Sequence, residues 1–374
     1  MNFYRDTFAQ IDLTQFEENI KRIKNVNGKQ MIAVIKANAY GHGASYIARK
    51  VMELGAVMLA VSSLDEAITL RHDGIDAPIL CVGYTRPRDV SLAMFYNITL
   101  TVPSLEWCNE LEKIKPEGKL KVHLAYDTGM NRIGMKTIDE LKECITTLHG
   151  KYVCIDGIFT HYTMSDADDE IMTNDQYRKF KEVVVELQNL CNFTYIHASN
   201  SDATMHYKED ITNAVRIGLV MFGISSFDTE VKPILSLYTR LSRVKKVNKG
   251  EGIGYSQTYT MSEDGYIGTI PIGYADGWIR KNQDRSCYIG KEACRFVGRI
   301  CMDQAMILLD KEYPVDTPVE LIGPHVSLVE MAKELDTIPY EIMCLLTDRV
   351  PRVYLENGEV VAIDNPRMRY SEAK

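Results

Sequence analysis

Eight short apolar runs in the first part of the chain constrain its fold more than any other feature. They are MIAVIK (31–36), AVMLAV (56–61), PILCVG (78–83), ITLTV (98–102), KLKVHLAY (119–126), VCIDGIFTH (153–161), TYIHAS (194–199) and AVRIG (214–218). Helical patterns lie between them: residues 63–74 start at a capping serine, and residues 175–190 repeat apolar side chains at helical spacing. Eight strands alternating with helices predict an α/β fold, a (β/α)8 TIM-like barrel. A doubly wound sheet is the alternative, but no GxGxxG follows the first strand.

From about residue 234 the pattern changes. Short β-like runs are separated by Gly, Asp and Asn turns, with one helical patch at 327–335. A chain of 374 residues also exceeds the usual size of a single core. We therefore predict a barrel over residues 9–233 and a mainly β C-terminal domain over 234–374, which residues 1–8 could join.

Composition narrows the classes of partner. The net charge of −8 argues against a nucleic-acid partner or an anionic membrane surface. No apolar run approaches the ~20 residues of a membrane span, and the N-terminus has no signal-peptide pattern. The nine cysteines are scattered without a CxxC, which predicts mostly buried thiols in a reducing compartment and no metal site. A cytoplasmic protein is expected, or the cytosolic domain of a longer membrane-anchored one.

Lys36 ends the first apolar run and leads into the loop ANAYGHGA. Burial of an amine disfavours its charged form. Two interpretations compete: a structural lysine that extends to water, or a nucleophilic amine that forms a Schiff base.

Other chemistry-bearing residues also follow predicted strands, where active residues of such barrels lie. His161 ends the sixth strand, Ser201 follows the seventh, and Arg216 lies in the eighth just before Gly218 and Leu219. Alone, His161 is more typical of a core histidine and Arg216 of a buried ion pair. Together, a Schiff-base lysine, an arginine and a phosphate cradle indicate pyridoxal 5′-phosphate.

The loop sequence also has a family resemblance. AVIKANAYGHG (33–43) resembles the cofactor-attachment signature of the alanine racemase family. Seven further blocks are similar to that family's motifs, in the same order: DTGMNRIG, HASNSDAT, VRIGLVMFG, IGYSQTYT, IPIGYADG, GRICMDQ and DRVPRVY. The resemblance implies a fold-type III pyridoxal-phosphate enzyme with a barrel and a β domain, working as a homodimer with shared active sites.

The resemblance implies roles position by position. Lys36 would be the Schiff-base lysine and one acid–base group, and Tyr255 of the second subunit the opposing one. Tyr274 and Met302 of that subunit and Arg132 would contact the substrate. The remaining cofactor contacts would be Tyr40, Ser201, Gly218 and Leu219 at the phosphate, Arg216 at the pyridine nitrogen, and His161 behind the arginine.

These roles are chemically consistent with racemisation. Two groups on opposite faces of Cα can remove and return a hydrogen without moving the substrate. A free tyrosine has a pKa near 10, so nearby cations must lower the pKa of Tyr255. Arg216 stays charged and keeps the ring nitrogen unprotonated. The carbanion is then short-lived, which favours reprotonation over transamination or decarboxylation.

The chain departs from the family at two positions. Many members have a lysine, carbamylated in some, where this chain has Ala125, so Arg132 must be held by an anion or by a neighbour such as Asn131. Alanine-preferring members often have a tyrosine at the position of Asp348, and the serine racemases of vancomycin resistance have a small polar residue there. A carboxylate can accept a hydrogen bond from a substrate hydroxyl. We therefore expect a racemase of serine and alanine, with serine more important than in a housekeeping enzyme.

Three other functions remain open. One is a housekeeping alanine racemase with little serine activity; like the serine enzyme, it would supply D-amino acids for peptidoglycan precursors. Another is a pyridoxal-phosphate decarboxylase on the same barrel, which normally has an acid at the pyridine nitrogen. The third is a non-catalytic carrier of the cofactor, which would be shorter and would lack the β domain.

Overall fold

The computed structural model describes residues 3–368, apart from 149, 151, 168 and 228. It divides into two compact units. One, here called the sheet unit, takes in the chain up to Gln15, residues Tyr40–Gly43 and the chain from Pro233 on. The other, the barrel unit, consists of Phe16–Ala39 and Ala44–Lys232. No helix of the described residues is long and apolar enough to pass through a bilayer.

The chain begins with strand β1 (Phe8–Asp12) and helix α1 (Leu13–Val26). Eight strands then close a barrel: β2 (Gln30–Val34), β3 (Met58–Val61), β4 (Ile79–Cys81), β5 (Ile98–Val102), β6 (Leu120–Ala125), β7 (Val153–Phe159), β8 (Tyr195–His197) and β9 (Ala214–Ile217). All neighbouring pairs are parallel, and β9 pairs with β2 to complete the ring. The predicted (β/α)8 barrel is confirmed, and each of the eight apolar runs overlaps one of these strands.

The strands are buried because each barrel strand faces other strands or helices on both sides. One core cluster joins four neighbouring strands and consists of Ile32, Met58, Ala60, Leu80 and Ala214. The connecting helical segments are α2 (Lys36–Tyr40), α3 (Ala44–Glu53), α4 (Leu64–His72), α5 (Val90–Phe95), α6 (Leu105–Ile114), α7 (Ile138–Leu148), α8 (Ile171–Leu187) and α9 (Ser201–His206). Ser63 caps α4 as predicted: its side chain accepts a hydrogen bond from the Glu66 amide.

The mainly β C-terminal region is also confirmed. Its elements are β10 (Leu235–Arg240), β11 (Arg243–Val247), β12 (Gly252–Ile253), β13 (Tyr259–Thr260), β14 (Gly265–Ile270), β15 (Ser286–Ile289), β16 (Glu292–Arg295), β17 (Ala305–Leu309), β18 (Pro318–Ile322), α10 (Leu328–Glu334), α11 (Pro339–Leu345), β19 (Arg352–Glu356) and β20 (Glu359–Asp364). The largest sheet has the order β16-β15-β18-β10-β1-β19-β20. Strand β1 is therefore an interior strand of this sheet, antiparallel to β10 and parallel to β19.

The structure differs from the sequence-based expectations at several elements. Strand β2 ends at Val34, so Lys36 follows the strand instead of ending it. Helix α8 begins at Ile171, ahead of the predicted 175, and α11 was not predicted. The cysteines were expected to be mostly buried thiols; Cys108 and Cys144 instead form a disulfide between α6 and α7. The exact domain limits, 9–233 and 234–374, stay a prediction.

Candidate active site

Lys36 starts a backbone turn of unusual conformation. Ala37, Asn38 and Ala39 all have left-handed dihedrals, with φ of 51°, 55° and 51°. The Ala39 amide donates to the Ile35 carbonyl (2.8 Å), and the Asn38 side chain accepts the Ala44 amide (2.8 Å). The chain after β2 thus bends sharply at the candidate Schiff-base lysine.

Arg216 is a buried cation surrounded by neutral acceptors. Its guanidinium donates to the Thr160 and Ala198 carbonyls (both 2.8 Å) and to Nδ1 of His197 (2.7 Å) and His161 (3.0 Å). Burial lowers the pKa of Arg216 to about 10, so it stays protonated at neutral pH. A permanent positive charge lies where β7, β8 and β9 end.

The pKa of His161 reports which of the predicted residues lie near it. Burial, and then the charges of Arg216, Arg132 and Lys36, lower its pKa to about 3. These three cations therefore act on the same imidazole, which is neutral in the working pH range. The structure brings Lys36, Arg132, His161 and Arg216 into one electrostatic neighbourhood.

Two further histidines extend the network, and the sequence analysis did not single them out. A guanidinium only donates, so Nδ1 of His197 must accept from Arg216 and its Nε2 carries the hydrogen. That Nε2 lies 2.9 Å from Nδ1 of His123. Burial lowers the pKa of His123 to about 4 and lowers that of His197 as well, so both rings are neutral. The signal was present, since both histidines lie inside the apolar runs of strands β6 and β8.

The chain after β8 and β9 provides anion-binding donors. The Ser201 hydroxyl oxygen accepts the amides of Gly218 (3.0 Å) and Val220 (3.3 Å), which leaves its own O–H hydrogen to donate. Leu219 begins a single 3₁₀ turn, Leu219–Phe222. A hydroxyl that keeps its hydrogen to donate, at a helix start beside the backbone after β9, suits a phosphate group. Together with Lys36 and the buried, charged guanidinium of Arg216, these residues fit pyridoxal phosphate.

The strand before the Arg132 loop ends at Ala125, the first of the two positions where the sequence departs from the family resemblance. Position 125 is a buried alanine at the end of β6. Asn131 is used within its own loop: its Oδ1 accepts from Lys136 Nζ (2.5 Å) and its Nδ2 donates to the Gly129 carbonyl (3.0 Å). What holds Arg132 stays a prediction.

The sheet unit contains the other candidate residues. The Tyr274 amide donates to the Cys301 carbonyl (3.1 Å), and the next amide, of Ala275, donates to the Met302 carbonyl (3.0 Å). Gly273 permits this approach, because a Cβ there would collide with the Cys301 and Met302 carbonyl oxygens. Tyr274 and Met302 are therefore neighbours. Both are exposed, as is Tyr255, which has 69% of its surface accessible.

Asp348 is exposed and lies between two anchored residues. Thr347 donates through Oγ1 to the Ala275 carbonyl (3.0 Å), and Arg349 contacts Asp276 (3.4 Å) and Asp303 (2.7 Å). These contacts bind the Asp348 segment to the loops of Tyr274 and Met302. Tyr40 is buried in the same unit, with its ring 5.6 Å from that of Tyr340. Its predicted phosphate contact stays a prediction.

Comparison with known proteins settles the family. The model of the alanine racemase N-terminal domain matches residues 11–226, and that of the C-terminal domain matches 234–354. The chain belongs to the alanine racemase family. Its members depend on pyridoxal phosphate. Alanine racemase 1 of Bacillus subtilis is 40% identical over 98% of this chain and 97% of its own, and the enzyme of Anoxybacillus flavithermus is 41% identical over 97% and 98%.

Solved structures agree with this assignment. Alanine racemase from Bacillus anthracis with bound L-Ala-P superposes with a TM-score of 0.93 at 38% identity, covering 98% of this chain and 99% of that one. A histidine racemase from Leuconostoc mesenteroides superposes at 0.85 with 29% identity, covering 94% and 98%. The fold and the racemase class are thus shared by relatives named for different amino acids.

Proposed function

We propose that this racemase interconverts the L and D forms of serine and alanine. The observation that supports it is the neutral histidine environment of Arg216, next to a lysine and a phosphate cradle. The decarboxylase and carrier alternatives lose support, because family models of a racemase match both domains. A housekeeping alanine racemase is equally consistent with the names of the relatives.

Residues of the barrel unit would hold the cofactor. Lys36 would bind it covalently, and Ser201, Gly218 and Leu219 would hold its phosphate. Arg216 would face the pyridine nitrogen with its charge kept, so that nitrogen stays unprotonated. When bound, pyridoxal phosphate withdraws electrons from the substrate Cα and acidifies its C–H bond.

Lys36 and Tyr255 would serve the two faces of the substrate. On one face the Lys36 amine would take the proton or its ammonium would return it, and on the other face the Tyr255 phenolate would take it or its phenol would return it. Arg132 would orient the substrate carboxylate, with Tyr274 and Met302 closing the other side. The exposure of Tyr255 in a single chain is consistent with a homodimer in which it enters the partner's site. We also place the protein in the cytoplasm, because its nine cysteines are odd in number and scattered without a CxxC; the Cys108–Cys144 disulfide is the exception to that pattern.

Asp348 would favour serine. Its carboxylate can accept a hydrogen bond from the serine hydroxyl, and alanine offers no such donor. The anchors at Thr347 and Arg349 hold this carboxylate beside the Tyr274 and Met302 loops, which are the proposed substrate contacts.

The test compares kcat/KM for L-alanine and L-serine in the native protein and in Asp348→Tyr. The substitution should lower the serine-to-alanine ratio about tenfold, the equivalent of one hydrogen bond of ~1.4 kcal/mol. Asp310→Asn, an exposed carboxylate at the other end of β17 from this site, is the control. If the serine-to-alanine ratio of kcat/KM does not change in Asp348→Tyr, the housekeeping alanine racemase is the supported function. Borohydride reduction followed by peptide mapping should separately trap the cofactor on Lys36.

A further inference from the structure

One carboxylate outside the site described above connects two strand ends of the barrel. Oε1 of Glu66 accepts the backbone amide of Ala37 (2.7 Å), and Oε2 accepts the backbone amide of Ser62 (2.7 Å). Ala37 directly follows Lys36, and Ser62 directly follows β3. Both bonds are short and charge-assisted, the strong class of hydrogen bond.

Helix capping does not account for this arrangement. Ser63 and Glu66 have the spacing of a capping box, in which the acid returns to the amide of the capping residue. Ser63 does accept the Glu66 amide (3.3 Å), which is the first half of that motif. The carboxylate, however, binds the amide one residue earlier and the amide after Lys36. One of its two oxygens therefore serves a different segment of the chain.

The segment that it serves needs outside support. Ala37, Asn38 and Ala39 hold left-handed dihedrals without being glycine, a conformation that costs free energy at each residue. Such backbones persist only where the surroundings fix them, and they concentrate at functional sites. The Ala37 amide is the first donor of this turn, and it belongs to the peptide group that carries the Lys36 carbonyl.

We propose that Glu66 is a positioning residue for Lys36. By holding the Ala37 amide it fixes the plane of the 36–37 peptide, and thereby the direction in which the Lys36 side chain leaves the barrel. This inference rests on the proposed function, in which Lys36 is the cofactor-bearing amine. Glu66 touches neither cofactor nor substrate in this role; it acts through the backbone.

Glu66→Gln is the decisive variant. Glutamine is neutral, offers one carbonyl oxygen and turns an NH₂ toward the second amide. One bond is therefore lost and the other is no longer charge-assisted, so the Ala37 amide is held less tightly in either orientation. Asp65→Asn is the matched control, because it removes the same charge from the same first turn of α4. Ser63→Ala is a second control, since it removes the helix cap and leaves the bond to Ala37 in place.

The first measurement is hydrogen exchange of the Ala37 amide in protein freed of cofactor, by mass spectrometry that resolves single amides. Exchange should accelerate at least about tenfold in Glu66→Gln and stay at the native rate in both controls. The second is steady-state kinetics with cofactor bound. In Glu66→Gln, kcat should fall about 10- to 100-fold while KM changes little, because the lysine is misdirected and not lost. Ser63→Ala should lower Tm by about 2 °C and keep kcat.

Two results would overturn the inference: native exchange at Ala37 in Glu66→Gln, or an equal loss of kcat in Ser63→Ala, which would make capping the cause. Circular dichroism and Tm of Glu66→Gln show whether it folds; if it does not, Glu66→Asp supplies the same comparison with a carboxylate one methylene shorter. Failure of the proposed function is a different outcome. In that case, borohydride would trap no cofactor on Lys36 of the native protein. Hydrogen exchange at the Ala37 amide would still report on the hydrogen bond to Glu66.

Discussion

Burial determines the protonation states of three histidines around Arg216. His161, His197 and His123 each have a pKa lowered below the usual value of 6.5, and burial is the largest cause in every case. Arg216 remains charged because a lowered pKa of about 10 is still well above neutrality. A cation flanked by neutral rings would present a fixed charge to the cofactor with no competing carboxylate bound to it directly.

These histidines predict acid sensitivity with a definite sign. Each folded-state pKa lies below 6.5, so the unfolded chain binds more protons and stability falls as pH drops from 6.5 towards 4. Each fully buried histidine contributes up to about 1.4 kcal/mol per pH unit to that slope. Urea unfolding between pH 7 and 4.5 measures it. His123→Gln should flatten the slope, and equal slopes in His123→Gln and the native protein would contradict the prediction.

Among the elements, helices α6 and α7 are linked by a disulfide in addition to their packing. Cys108 and Cys144, both fully buried, link these neighbouring helices across 36 residues of chain. A cross-link restricts the unfolded chain, and the effect grows slowly with loop length. The disulfide therefore connects two successive strand–helix repeats of the barrel, β5–α6 and β6–α7.

Reduction should weaken the purified protein. For a loop of this length, loss of the disulfide is expected to cost about 3–4 kcal/mol. Thermal unfolding with and without a reductant measures the change, and thiol titration under denaturing conditions should count seven thiols before reduction and nine after. The double variant Cys108→Ala with Cys144→Ala should show no response to reductant. If reductant exposes all nine thiols and the Tm of the native protein does not change, the disulfide does not stabilise the protein.

At the scale of the whole molecule, both units contain candidate residues. The barrel unit has Lys36, Arg132, His161 and Arg216, and the sheet unit has Tyr255 together with other exposed substrate candidates. Exposure of large side chains at a proposed catalytic position is typical of a surface that a second subunit covers.

Subunit mixing tests the shared site. Lys36→Ala and Tyr255→Phe should each lose racemase activity by at least about 100-fold. If Tyr255 acts in the partner's site, a mixed dimer has one site with both native residues and one with neither. Random reassociation after mild dissociation should then restore about a quarter of native activity, since half of the dimers are mixed and each has one working site. Tyr259→Phe mixed with Lys36→Ala is the control. No recovery in the first mixture would place both groups in one chain.

The sequence by itself determined the order of elements and the residue types at the strand ends. Apolar periodicity is local, so all eight barrel strands and the Ser63 cap could be predicted, and the strand-end rule then selected Lys36, His161, Ser201 and Arg216. The family motifs determined the cofactor and the reaction class.

Only the tertiary structure decided which distant segments meet. Strand β1 joins a sheet whose other strands lie more than 220 residues further along the chain, and no local pattern encodes that pairing. The same holds for the His197–His123 pair, the Cys108–Cys144 disulfide and the Glu66 bond to Ala37. Each depends on two segments that packing of the barrel brings together. Hydrogen bonds and disulfides form only over a few ångströms, whatever the separation in sequence.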